Sequence, residues 1–293
     1  MAHQYYYFIA GLPNLGVDDT KLQITPQQFL EDAGKQLAKV DLKLLSLLRL
    51  PGGIDNLVKA IYGREDEFAE GMEHSLAFWQ EYIAFMRRKA GEGNLGLPGE
   101  FRALPGFIHE IVLKQFRQEE LPPLLKTEYE LLNAYYACCA GSPNRFLRAW
   151  SNYNRDLRNI LIAINGRHHK MDYAPWLISA NDLTEQLRRS NAADFGLGKE
   201  HELFENLLRI WEQNNILYRE RGYDILRWKW IEAQNFFQYF NIDRVLGYWC
   251  KLSILDRWVN LDPGLGKDLF QDTLDSLENS FTFPQHFNIK SKK

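Results

Sequence analysis

A chain of 293 residues with 45% hydrophobic and 25% charged side chains carries enough apolar material for a substantial core, which excludes a disordered chain. A formal net charge of −3 weighs against a nucleic-acid binder, because such a protein needs a basic surface to displace counterions. The three cysteines, Cys138, Cys139 and Cys250, are too few for a disulfide framework, and no stretch approaches the ~20 apolar residues of a spanning helix, so a soluble, cytoplasmic protein is expected.

In chain order, the opening MAHQYYYFIAGLP lacks the basic start of an export signal. Thr25-Pro26 predicts a helix start, with a capping hydroxyl followed by proline at the first helical position, and helix continues to Leu50. Pro51-Gly52-Gly53 is expected to break it, leaving a short helix over Ile54–Arg64 and a long one over Glu65–Ala90. Gly91–Gly106, glycine-rich and carrying Pro98 and Pro105, reads as a loop or boundary. Further helices are expected near 105–121, 123–140, 144–165, 180–190, 199–221, 223–239, 242–260 and 266–280, with breaks around HHKMDYAPW and NAADFGLGKE and fraying in the final FPQHFNIKSKK. Alternating β-branched strands are hard to find, so the class is all-α: one helical subunit over 1–293, divisible into lobes 1–90, 107–195 and 196–293 with the loop 91–106 between the first two.

Within the helix over 144–165, Tyr153, Leu157, Ile160, Leu161 and Ile164 line up on one face, and Gly166 is expected to stop it. Asp156, Arg158 and Asn159 then need partners or water, since an unpaired buried polar group costs ~1–3 kcal/mol. Asn159 lies beside Ile162 and Ala163 whereas Asn56 neighbours Lys59, so Asn159 is expected to be the more costly of the two to replace.

Signals for chemistry are weak. Gly91–Gly96 matches the dinucleotide glycine spacing but follows a helix and meets Pro98, and GLGK at 196–199 and 264–267 lacks the Ser or Thr of a phosphate loop. His168, His169 and Asp172 lack a third ligand at helical spacing, and His201-Glu202 reads as a helix entry. In the aromatic belt Tyr223–Trp258, the spacing of Leu226, Trp230, Ala233, Phe237 and Phe240 predicts a core stripe; aromatic residues outside it are candidates for a protein interface. No catalytic, cofactor or metal site is expected.

One pattern is internal. IDNLVKAIYGR, from Ile54, and LRNILIAINGR, from Leu157, coincide at five of eleven positions: the asparagine, the Ala-Ile pair and the Gly-Arg ending. IDRVLGYWCKL, from Ile242, keeps the same four apolar positions but has Arg244 in place of the asparagine. A threefold helical pseudo-repeat is expected. Its candidate structural residues are Asp55, Asn56, Gly63 and Arg64; Asp156, Arg158, Asn159, Gly166 and Arg167; and Asp243 and Arg244.

The opening YYYFIAGLPNL and the later FNIDRVLGYWCKLSILDRWVNLDPGLGKDLF resemble an uncharacterised bacterial family whose genes sit inside V-type (A-type) ATPase operons. IDNL at Ile54–Leu57 and RDLRNIL at Arg155–Leu161 look similar to the repeated motifs of the all-helical rotor component of these ATPases, the C-type subunit, called d-type in eukaryotes. The resemblance implies a funnel- or socket-like, non-catalytic central-stalk subunit without a cofactor. Its partners would be the axle subunits and the membrane rotor ring, with no nucleic acid, and it would sit in the cytoplasm, peripheral to the inner membrane. From the residues alone, the alternative is a soluble helical enzyme or regulatory scaffold whose site is assembled from distant polar groups.

Overall fold

The computed structural model describes residues 3–69, 71–93, 95–179, 181–198 and 201–261. Among them are eleven α-helices, short 3-10 turns and no strand, so the class is all-α. In order they are α1 (Tyr6–Ala10), α2 (Pro26–Gln36), α3 (Lys39–Ile61), α4 (Leu76–Glu92), α5 (Gly106–Phe116), α6 (Leu124–Ala140), α7 (Arg145–His168), α8 (Asp182–Arg189), α9 (Glu202–Trp211), α10 (Ile216–Asn235) and α11 (Ile242–Val259).

Side-chain caps satisfy free N–H groups at the start of α2, α4 and α7 to α11. Thr25 accepts from Gln28 N at 3.2 Å while the Gln28 side chain accepts from Thr25 N at 3.0 Å, a reciprocal box with Pro26 in the first turn. Asn181 caps α8 with a second such box, Asn144 and Asn241 accept one N–H each at the start of α7 and α11, and His201 caps α9 through Nδ1, 3.2 Å from Phe204 N.

Several predicted boundaries move. Pro51-Gly52-Gly53 does not break the chain; α3 runs through all three residues. Proline removes one helical N–H, but Leu50, Ile54, Leu57, Val58 and Ile61 are buried along this half of the helix and hold it together. The glycines serve close approach: a Cβ on Gly52 would lie 2.6 Å from Met72 Sδ, and one on Gly53 3.8 Å from the Trp79 ring. Glu65–Ala90 is not one helix, since a 3-10 turn at Glu65–Glu67 gives way to extended chain and Ser75 caps a fresh start at Leu76. The helix expected over 105–121 ends at Phe116, and the two expected over 199–221 and 223–239 divide instead around Asn215, which caps α10. The short α1 was not anticipated. The helix expected near 266–280, the second GLGK and the final FPQHFNIKSKK lie outside the described residues.

Gly166 does not stop α7, which continues to His168; the turn out of it uses Lys170 at φ +54, with Met171 N donating to the Gly166 carbonyl at 2.8 Å. Gly166 is buried because Tyr173 lies on it, and a Cβ there would meet the Tyr173 Cβ at 2.5 Å. On the face of α7, Leu157, Ile160, Ala163 and Ile164 are buried, whereas Leu161 is only partly so.

The apolar side chains form three clusters. The first joins the second half of α3 to α4, α5 and α6, with Phe101 and Leu104 from the segment between α4 and α5 buried in it. The second joins α1, α2 and the first half of α3 to α10 and α11. The third joins the second half of α7 to α8, α9 and Tyr223. Helix α11 packs against both α3 and α7, and α6 lies against the same two. Phe29 of α2 is fully buried against Tyr248 and Trp249 of α11, with ring centroids 5.5 and 5.6 Å away.

The aromatic stripe fails as a core. Helix α10 ends at Asn235, so Phe237 and Phe240 leave the helical register, and Phe237 is 74% exposed. The buried face of α10 is instead Tyr223, Asp224, Trp228, Ile231 and Asn235.

Two histidines beside the first cluster are held below their ordinary titration range by burial. His74 stacks on Phe78 with centroids 4.0 Å apart, where Glu73 opposes the shift and Arg49 adds to it; His109 contacts the Tyr82 hydroxyl through Nδ1 at 3.0 Å. Above the ordinary value of 6.5 both imidazoles are neutral, folded or unfolded; below it the unfolded chain takes up protons first, so stability falls with pH until the folded imidazoles titrate. The urea midpoint should therefore drop between about pH 7.5 and about pH 5.5, and His74→Phe should reduce that drop; an unchanged drop would remove His74 as a source of the slope.

The two glycine environments give a second test. Gly166→Ala should destabilise by about 1–3 kcal/mol through the clash with Tyr173. Gly34→Ala, in α2 with nothing within 4 Å of the added methyl, should stabilise by about 0.5–1 kcal/mol in the same denaturant titration. Equal signs at the two positions would contradict the packing at Gly166.

Candidate functional site

The repeat residues occupy three separate places rather than one cleft. In α3, Asn56 is fully buried; its Nδ2 donates to the Ala69 carbonyl at 2.8 Å and its Oδ1 accepts from Ala69 N at 2.9 Å. Asn159 of α7 is equally buried and does the same to Ile178, at 2.9 Å in both directions. Each amide thus pairs with both backbone groups of one residue in the segment following its helix. The second segment is pinned further: Tyr129 donates to the Leu177 carbonyl at 3.2 Å, Asn133 accepts from Ser179 N at 3.0 Å, and Thr184 donates to the Ser179 carbonyl at 2.9 Å. Both asparagine side chains are fully buried, Lys59 having turned to Asp55 at 2.8 Å, but Ala69 is half-buried whereas Ile178 is fully buried, so the geometry keeps Asn159 as the more costly of the two to replace.

The other repeat residues are local ties. Gly63 takes φ +70 after α3, and Arg64 pairs with Glu67 at 3.5 Å on the surface. Arg167, its counterpart in the alignment, donates instead to the Ser190 and Ala192 carbonyls and lies over the Phe195 ring, 3.5 Å from its centroid. Asp156 accepts from Arg155 at 3.0 Å and from Asn181 at 3.3 Å, and Arg158 reaches Glu128 at 3.6 Å. Asp243 accepts from Asn144 at 2.7 Å, which ties α11 to the cap of α7. Arg244 is exposed.

The features weighed for chemistry resolve as structure. His168 packs edge-on against Trp211, with centroids 4.9 Å apart, and Asp172 accepts from Ala174 N at 3.3 Å. Among the described residues no group of three or more His, Cys, Asp or Glu could hold a metal ion. Gly91 and Glu92 are the last turn of α4 and Gly93 ends it at φ +80, so the glycine run follows a helix instead of opening one. Burial pushes the Cys139 thiol up to about 11 and pushes Cys250 up as well.

What the surface does present is aromatic. At the corner joining α10 to α11, Phe236 is 70% exposed and Tyr239 64%, beside Phe237 and the partly open Phe240. Tyr6 of α1 extends the patch, 4.6 Å from the Phe240 ring, and Tyr5 N donates to the Phe240 carbonyl at 2.6 Å. Two concavities of about 290 and about 590 Å³ run along this corner and share Ile9, Glu232, Asn235, Arg244 and Lys251. Burial works to raise the Glu232 carboxyl, but the Lys251 ammonium bonded to it at 2.8 Å, the Trp228 indole and Arg244 together hold it below its ordinary value. A third groove, of about 400 Å³, lies over α7 and is lined by Tyr136, Arg158, Leu161, Ile162 and Arg227 among others. Phe236 and Tyr239 lie outside the expected stripe and are exposed as candidates for a protein interface, and Phe237 and Phe240, expected in the core, join them at the surface. The signal for this one was the Phe-Phe-Gln-Tyr-Phe run just beyond the end of α10.

A family model described as "Protein of unknown function (DUF2764)" matches residues 1–281, and the chain belongs to that family. No curated protein and no solved structure matches the chain.

The paired clamps make a quantitative test. Asn159→Leu should destabilise by about 2–4 kcal/mol, since it leaves the buried N–H and C=O of Ile178 unpaired, and Asn56→Leu by less, since the half-buried Ala69 groups can turn to water. Denaturant titration of the two variants checks this, and an equal cost at both positions or none at Asn159 would contradict it.

Proposed function

We propose that this member of the DUF2764 family is a non-catalytic rotor subunit of a V-type ATPase: a socket that couples the central axle to the membrane ring during ion transport. The observation that carries the reading is the pair of matched asparagine clamps, in α3 and α7, at the positions where the sequence resembles the repeated motifs of the all-helical rotor component. Both helices pack against α11, the third helix of the proposed repeat. A coupler must resist deformation, and non-helical segments fastened to helices by two-point amide bonds supply stiffness. It also needs partner surface, which the aromatic corner offers. No helix among the described residues is long and apolar enough to cross a membrane, which is compatible with attachment to the inner membrane through protein contacts from the cytoplasmic side.

The test is co-purification. An affinity-tagged chain drawn from detergent-solubilised native membranes should bring axle and ring subunits with it, and the isolated chain should hydrolyse no ATP. Deleting the gene should leave ATP hydrolysis by the catalytic head but uncouple it from ion transport. A deletion strain with a fully coupled ATPase would refute the coupler and leave the enzyme-or-scaffold alternative in its place.

A further inference from the structure

Asn235, the last residue of α10, is 3% exposed, and its Oδ1 is buried without a hydrogen-bond partner among the described residues. An acceptor left in that state is costly, so its position beside both corner concavities is informative. The space for it is made by Gly247 of α11, where a Cβ would lie 1.7 Å from Asn235 Nδ2, so no other residue at that position leaves the amide in place. Two further buried asparagines, Asn56 and Asn159, each spend their amide on the backbone N–H and C=O of one residue in a non-helical segment.

We propose that the groove between α10, α11 and the loop after α1 binds an extended, acidic peptide segment of a partner protein, whose backbone pairs with the Asn235 amide and whose carboxylate meets Arg244. An extended segment turns successive side chains to opposite sides. One side then faces Phe236, Tyr239 and Phe240, which hold apolar groups, and the other faces the cationic wall. That wall has an excess of positive charge: Arg244 and Lys251 stand against the single carboxylate of Glu232, and Lys251 already pairs with it at 2.8 Å. Arg244 is exposed and lines both concavities. The inference stands apart from the coupler: peptide capture by the isolated chain tests the groove, whereas co-purification tests the complex.

Randomised peptides displayed on phage and selected on the full-length chain provide the probe. Enriched peptides should combine Asp or Glu with an aromatic or branched apolar residue, and binding of the synthetic peptide should shift the Asn235 side-chain amide resonances. Asn235→Asp, of the same shape but without the amide donors, should weaken binding at least about tenfold. Arg244→Glu, at an exposed position where folding is not at stake, should weaken it about tenfold and select basic peptides instead. The proposal is overturned if no peptide is enriched, if neither variant changes affinity, or if the bound peptide leaves the Asn235 resonances unmoved. Asn235 side-chain amide protons already protected from exchange in the free full-length chain would also overturn it, since the chain itself or a trapped water would then occupy the groove.

Discussion

A helix has no backbone groups to spare along its length, so an extended segment laid across one must find hydrogen bonds elsewhere or leave buried N–H and C=O groups unpaired. The primary amide of asparagine is the short neutral side chain that offers a donor and an acceptor side by side, as a neighbouring strand would. Asn56 and Asn159 use it in this manner, and the segments after α3 and α7 become walls of the protein as a result. Neither aspartate nor leucine can substitute: the first lacks the donor and the second lacks both groups.

How much of this was legible in the sequence depends on the range of the forces involved. The four apolar positions of each repeat helix are read directly from spacing, and all are buried except Leu161, Ile242 and Trp249, which are partly so. Asn159 stood out as a residue needing a partner, but the burial of Asn56 did not, because what encloses it is a segment thirteen residues away rather than its helical neighbours. Pro51-Gly52-Gly53 misled for the same reason. Local preference favours a break, whereas the buried apolar residues along this half of α3 hold it helical and Gly52 leaves room for Met72 against it. The stripe through Phe237 and Phe240 assumed helix beyond Asn235, and once the helix stops, periodicity says nothing about which side faces inward.

Least legible was the charge arrangement around Asp224, which no spacing rule picks out. This carboxylate is 3% exposed; it accepts from Arg227 at 3.0 Å, from Trp258 at 2.7 Å and from Arg257. Arg227 in turn donates to Asn154 of α7 at 3.0 Å. A buried carboxylate is tolerated only when paired and hydrogen-bonded, and here its partners come from α10 and α11, with α7 one step further on. The aromatic corner lies at the opposite end of α10 from Glu220 and Arg221, and there Glu232 pairs with Lys251 of α11, so charge fastens the helix near both ends while the aromatic residues just beyond Asn235 stay open to solvent.

The second apolar cluster joins residues near position 5 to residues near position 255, and this has a consequence for the order in which the molecule forms. As the chain leaves the ribosome from its N-terminus, α1 and α2 emerge long before α10 and α11 exist. Phe8, Phe29 and Leu37, buried in the finished protein, have no complete surface to pack on during that interval. The first and third clusters draw on shorter stretches of sequence, roughly 50–178 and 157–223, and can close earlier. The packing of α1 and α2 is therefore complete only once α11 is in place.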